Sequence, residues 1–156
     1  MTLARGLDDC LDIARRAKAQ GFDPEVEVEI PVATDLAERV ENLVGPPGIA
    51  ERIREASDTR NREETSLFIA RDIVRTIPFP SKEAALDQAI RTGLAVLTEG
   101  VLVAPLEGVS EVKIKSNHDG TSYADVHFSG PIRAAGGTAQ ALSVLIADVV
   151  RRELKL

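Results

Sequence analysis

The chain has 156 residues, 44% of them hydrophobic and 28% charged, with a formal net charge of −6 and a pI near 5.0. That balance suits one ordinary domain, or two small subdomains around a shared core, and excludes a surface that coats nucleic acid generally, which needs clustered Lys and Arg. A single cysteine excludes an internal disulfide, and aromatics at 3% with no Trp require a core of Leu, Ile, Val and Ala.

The first expected helix carries the stripe Leu3, Leu7, Cys10, Leu11 and Ala14, which makes Cys10 a buried structural thiol. The charged start from Met1 to Arg16 is no signal peptide, and no apolar run approaches the roughly 18 to 20 residues that span a bilayer; a soluble, cytoplasmic protein is expected. From Glu25 to Ile30 strict alternation puts Val26, Val28 and Ile30 on one face and three glutamates on the other, an edge strand. Three carboxylates fanning outward without His or Asp nearby make a solvated face rather than a metal site.

A helix follows behind Thr34, read as its N-cap, with Leu36, Val40, Leu43 and Val44 inward and Gly45 as its stop. Pro46 and Pro47 open the next, with Ile49, Ala50 and Ile53 apolar. Asn61 and Glu64 have a capping-box layout for a helix with Ile69, Ala70, Ile73, Val74 and Ile77 inward, ended by Pro78 and Pro80. Ser81 caps another, with Leu86, Ile90, Gly93, Leu94 and Leu97 inward. Arg52, Arg54, Arg60 and Arg62 are interleaved with Glu51, Glu55, Asp58, Glu63 and Glu64, a solvated mixed-charge face.

Face parity decides the next element. Val112 and Ile114 alternate with Glu111, Lys113 and Lys115, while Ala124, Val126 and Phe128 alternate with Tyr123, Asp125 and His127. A two-residue Asp119-Gly120 turn would set Ile114 against Asp125. A three-residue loop of His118, Asp119 and left-handed Gly120 instead pairs Ile114 with Ala124 and Val112 with Val126, behind Asn117 as turn opener. The polar face then sets Lys113 against Asp125 and Glu111 against His127. Lys113, Lys115, Tyr123 and His127 form a weaker candidate nucleic-acid face with one stacking ring, since base-stacking modules usually offer several; a solvated sheet face is the favoured reading. Two histidines and one cysteine assemble no catalytic or metal-ligating set.

After Phe128 the run Ser129 to Gly137 is a Gly-rich loop that opens a helix with Leu142, Leu145, Ile146, Val149 and Val150 inward and Thr138 as N-cap. Gly-x-x-x-x-Gly-Lys-Ser/Thr and Gly-x-Gly-x-x-Gly are both absent. Arg133, Gly136, Gly137 and Thr138 are candidate phosphate or DNA contacts, because adjacent glycines admit a close ligand and a helix start offers unpaired N–H groups. A tight turn that needs glycine for its backbone angles and packing explains the same residues, and both readings stay open. The chain stops within a helix that has no Gly, Asn or Pro terminator, which suggests a fragment of a longer protein.

The run from Gly130-Pro131-Ile132-Arg133 to Gly136-Gly137-Thr138, the approach Gly100 to Val109, and more weakly Glu29-Ile30-Pro31 with Asp35 to Glu41 closely resemble the N-terminal region of the large subunit of archaeal family-D DNA polymerases. The resemblance covers most of the chain. It implies a parent enzyme for DNA-directed DNA synthesis in replication, using magnesium, and a heterodimeric partner small subunit carrying a proofreading exonuclease. The polymerase site of that family lies far downstream on an acidic motif that these residues lack, so no catalytic residue, metal or cofactor is assigned to this fragment. A non-catalytic domain serving assembly, with DNA backbone contact, is the leading expectation. A structural or self-association module, giving a homo-oligomer, and a small phosphate-ligand-binding protein are the alternatives. The expected fold is α+β: a mostly helical subdomain over residues 1–98 with one short strand, packed with a small antiparallel sheet containing the hairpin, then the Gly-rich loop and a truncated helix over 99–156.

Overall fold

Local hydrogen bonds decide where the helices begin. The computed structural model describes residues 3–27, 33–99, 106–130 and 137–156, which divide into two units, Met1–Ala33 and Thr34–Leu156. The first unit holds helix α1 (Leu3–Ala19). Cys10 on it is exposed rather than buried, as are Ile13 and Phe22. Among the described residues of this unit no second helix or strand covers an apolar stripe. Of the expected strand at Glu25–Ile30, Val28 to Ile30 lie outside the described residues, and Glu25, Val26 and Glu27 adopt no strand conformation.

The second unit carries α2 (Leu36–Leu43), α3 (Ile49–Ser57), α4 (Arg62–Thr76), α5 (Lys82–Leu97), β1 (Val109–Ser116), β2 (Ser122–Phe128) and α6 (Gly137–Glu153). Asp35, not Thr34, caps α2: its carboxylate accepts the Glu38 N–H at 2.8 Å, while Thr34 donates its N–H back to Glu38 Oε2 at 2.7 Å. The box is displaced by one residue because Asp35 already supplies the acceptor the first turn needs. Pro46 and Pro47 precede α3 rather than open it. Gly48, at φ +84°, takes the N-cap position, and Glu41 of α2 accepts the Ala50 N–H at 2.7 Å in place of a local cap. The expected caps hold at Asn61, where Glu64 completes a capping box, and at Ser81, whose hydroxyl accepts the Ala84 N–H at 3.1 Å. α4 ends at Thr76, just before Pro78.

Helices α4, α5 and α6 pack against one another, α2 and α3 close one side, and the hairpin lies on α5 through β1 and on α6 through β2. The core is aliphatic: Ile49, Ile53, Ile69, Ile73, Leu86, Ile90, Leu94 and Ile146 are fully buried, with Val40, Val96 and Val109. On α6 the buried line is Ser143, Ile146, Ala147 and Val150, whereas Leu145 is 47% exposed. The buried stripe is therefore turned slightly about the axis from the expected one, with small Ser143 and Ala147 on it in place of Leu145. Ser66 Oγ on α4 donates to the Gly93 carbonyl of α5 at 2.7 Å across a buried seam. The fold is α+β.

Candidate functional site

The hairpin has the register that face parity requires, with Ile114 opposite Ala124 and Val112 opposite Val126. Gly120 sits at φ +84°, its N–H donating to the Asn117 carbonyl at 3.0 Å, and the Asn117 N–H reaches the Thr121 carbonyl at 2.7 Å, closing the three-residue loop. Asp119 Oδ1 stiffens it by accepting from the Thr121 N–H at 2.9 Å and hydroxyl at 2.6 Å. Between Val109 and Glu111 the strand carries an irregularity at Ser110, whose hydroxyl donates to the His127 carbonyl at 3.1 Å.

Lys113, Lys115, Tyr123 and His127 share the outward face, as the alternation requires. Their ion pairs do not run straight across, however. Lys115 reaches diagonally to Asp125, His127 Nε2 lies 3.0 Å from the same Asp125 Oδ2, and Lys113 turns along its own strand to Glu111 at 2.8 Å. Strand twist shortens one diagonal, and a lysine stem can span it. The Lys115 ammonium, then His127, hold the Asp125 carboxyl below its ordinary value; Lys113 does the same for Glu111, and Asp125 raises Lys115. Each lysine thus has a carboxylate partner on the face, which leaves little net positive charge there for phosphate.

The primary candidates divide. Arg133 and Gly136 lie outside the described residues. Gly137 and Thr138 are exposed in the first turn of α6, with Thr138 one residue inside the helix rather than at its cap. A Cβ on Gly137 would meet nothing within 4 Å.

The far end of α6 carries a cationic cluster that no sequence motif marks. Glu153 bridges Arg71 and Arg75 of α4 at 2.8 and 2.7 Å, while Asp148 bridges Arg151 and Arg152 at 2.6 and 2.7 Å. Two carboxylates therefore serve four guanidiniums. Only the excess of Lys and Arg in the last helical turn was a signal for it, and that pattern also answers the helix dipole. Among the described residues no three His, Cys, Asp or Glu side chains converge as a metal would need, and no helix is long and apolar enough to cross a membrane.

Acid should loosen this unit. Asp125 and Glu111 on the hairpin, Asp35 beside Arg54 and Glu153 between Arg75 and Arg71 all have carboxyls held below their ordinary values. Groups with depressed folded values stabilise above the unfolded pKa of about 4 and lose that contribution as pH falls through the folded value. Melting temperatures across a pH series should be flat from about pH 6 to 8 and fall below about pH 4; a midpoint unchanged in acid would contradict these pairings.

Residues 1–156 match the family model described as DNA polymerase II large subunit DP2, N-terminal. The DNA polymerase II large subunit of Picrophilus torridus is 57% identical over 148 residues, covering 95% of this chain and 14% of that protein. That of Methanocella arvoryzae is 55% identical, covering 92% of this chain and 13% of its own length, and that of Pyrococcus furiosus is 52% identical, covering 99% and 12%. The chain thus spans about a seventh or less of these relatives.

Proposed function

Since the chain belongs to the N-terminal family of the DNA polymerase II large subunit, we propose that it serves as the non-catalytic N-terminal domain of an archaeal replicative polymerase, supporting assembly and touching the DNA backbone. The parent protein carries out DNA-directed DNA synthesis and pairs with a small subunit bearing the proofreading exonuclease. Nucleotidyl transfer needs carboxylates gathered around divalent cations. Among the described residues no such set gathers, and in this reading the magnesium and the bond-making chemistry are supplied by other parts of the parent.

The observation that carries the DNA-contact reading is the exposed first turn of α6 at Gly137 and Thr138, with Arg133 four residues before it in sequence. The N–H groups and positive dipole end of a helix start, with a guanidinium, together suit a phosphate. Fluorescence anisotropy of labelled primer-template DNA across a salt series tests this. Expected is binding in the range of about 10⁻⁴ to 10⁻⁶ M that weakens with salt, with Arg133→Ala lowering the salt slope by about one at unchanged melting temperature. Absence of binding at low salt would remove the role, and a lowered melting temperature would make Arg133 a packing residue.

A second reading, an apolar seam for another chain, draws on Val144 at 55% and Leu145 at 47% exposed, side by side on α6. Sedimentation of the unmodified chain and of Leu145→Asp would separate association through that helix from a monomer.

A further inference from the structure

Among the described residues β1 and β2 form a two-stranded antiparallel sheet, so each strand has an outer edge. The Ile114 N–H points away from β2 and donates to Glu83 Oε1 of α5 at 3.0 Å, which closes the outer edge of β1 at that point. This bond also fixes the ladder. Ile114 and Ala124 are a non-hydrogen-bonded pair, and by the period of two so are Val112 with Val126 and Ser116 with Ser122. On β2 the N–H and C=O groups of Ser122, Ala124 and Val126 are therefore directed outward, and no described residue pairs with them. The usual guards of such an edge are missing: Ser-Tyr-Ala-Asp-Val-His-Phe has no Lys and no Pro, and the register irregularity of the pair lies on β1, between Val109 and Glu111. Between β2 and α6 lies a hollow of about 310 Å³ with an apolar lining of Ala124, Val126, Phe128, Val144 and Ala147, and Val144 is 55% exposed.

A row of outward backbone groups beside an apolar hollow is met by an extended strand with alternating apolar residues, and β2 itself has that pattern. We propose that two copies of this chain pair antiparallel through β2 about a twofold axis at Val126, making a continuous four-stranded sheet. Self-complementarity of charge and size selects the axis. Centred on Val126, Asp125 stands opposite the partner's His127 at the closer, non-hydrogen-bonded spacing, while small Ala124 stands opposite the partner's Phe128 on the apolar face. An axis at Asp125 would set two carboxylates directly against each other. One at Ala124 would leave Phe128 beyond the strand, opposite the partner's Gly120. The contact uses neither the Gly137–Thr138 turn nor the Leu145 seam, so it stands or falls apart from both readings of the function.

Sedimentation velocity of the 156-residue chain over a concentration series, with a melting curve for each variant, tests the pairing. Expected is a concentration-dependent shift from monomer to dimer. Val126→Pro removes an outward N–H that β1 does not use, so it should weaken the dimer by about tenfold or more at little cost in melting temperature, as the loss of two hydrogen bonds across the axis does. In a Cys10→Ser background, Val126→Cys should form an intermolecular disulfide under oxidised glutathione, because residue 126 lies about 5.5 Å from its own copy between Cα atoms, within disulfide reach. Ala124→Cys faces Phe128 of the other copy and should stay mostly reduced. A monomer at every concentration overturns the proposal. So does a dimer that Val126→Pro leaves equally strong, or one dissolved by Leu145→Asp alone, which would assign association to the α6 seam. If Val126→Pro unfolds the chain, the disulfides decide, and equal cross-linking from Val126→Cys and Ala124→Cys overturns the pairing.

Discussion

Ile146→Ala is expected to lower the stability of the 34–156 unit by about 2 to 5 kcal/mol, the range for a buried Ile replaced by Ala. Ile146 is fully buried on α6, and its side chain sits in a notch cut by Gly93 of α5: a Cβ on Gly93 would meet Ile146 Cγ2 at 3.3 Å, Ile146 Cδ1 at 3.4 Å and Ala70 Cβ of α4 at 3.3 Å. Truncation leaves a void where three helices meet. The residues facing it, Gly93 and Ala70, are too small to swing in, so closure would require moving a helix, and the Ser66 bond to the Gly93 carbonyl resists that. The thermal midpoint should fall by on the order of 10 °C. Circular dichroism melts decide: a loss under about 1 kcal/mol would mean that α6 is not docked on α4 and α5 as described.

What the sequence made legible was whatever a few neighbouring residues decide. The Asn61–Glu64 box, the Ser81 cap, the proline stop after α4 and the hairpin register with Gly120 at positive φ all depend on residues within a turn or a short loop of one another. Family membership was legible from the Gly130 to Thr138 words and their neighbours. Tertiary geometry was less so. Alternation placed Lys113 opposite Asp125, but strand twist and lysine reach chose Lys115 as the partner. Periodicity found the apolar residues of α6, yet only the tertiary packing of that helix selects Ala147 and Ser143 over Leu145 for burial.

Gly45 offers the second large effect, and its cause is also tertiary. It is not held at positive φ, so the usual reason for glycine after a helix does not apply. An added Cβ would lie 2.5 Å from Ile49 Cγ2, 3.1 Å from the Glu41 Cα and 3.3 Å from the Val40 carbonyl oxygen. Two of these are helix backbone and the third belongs to a fully buried isoleucine whose branched Cβ leaves it few rotamers. Relief must therefore come from opening the corner between α2 and α3, which also strains the Glu41 carboxylate bond to the Ala50 N–H. Gly45→Ala should cost about 1 to 3 kcal/mol, offset by roughly 0.4 to 1 kcal/mol from the reduced freedom of the unfolded chain. Gly137→Ala is the matched control: its Cβ points into open space within a helix, so the same substitution should leave stability unchanged or raise it by up to about 1 kcal/mol. Urea titrations of the two variants should move in opposite directions. If Gly45→Ala instead follows Gly137→Ala upward, the α2–α3 corner has room for a methyl group and the turn is set by Gly48 and Glu41 alone.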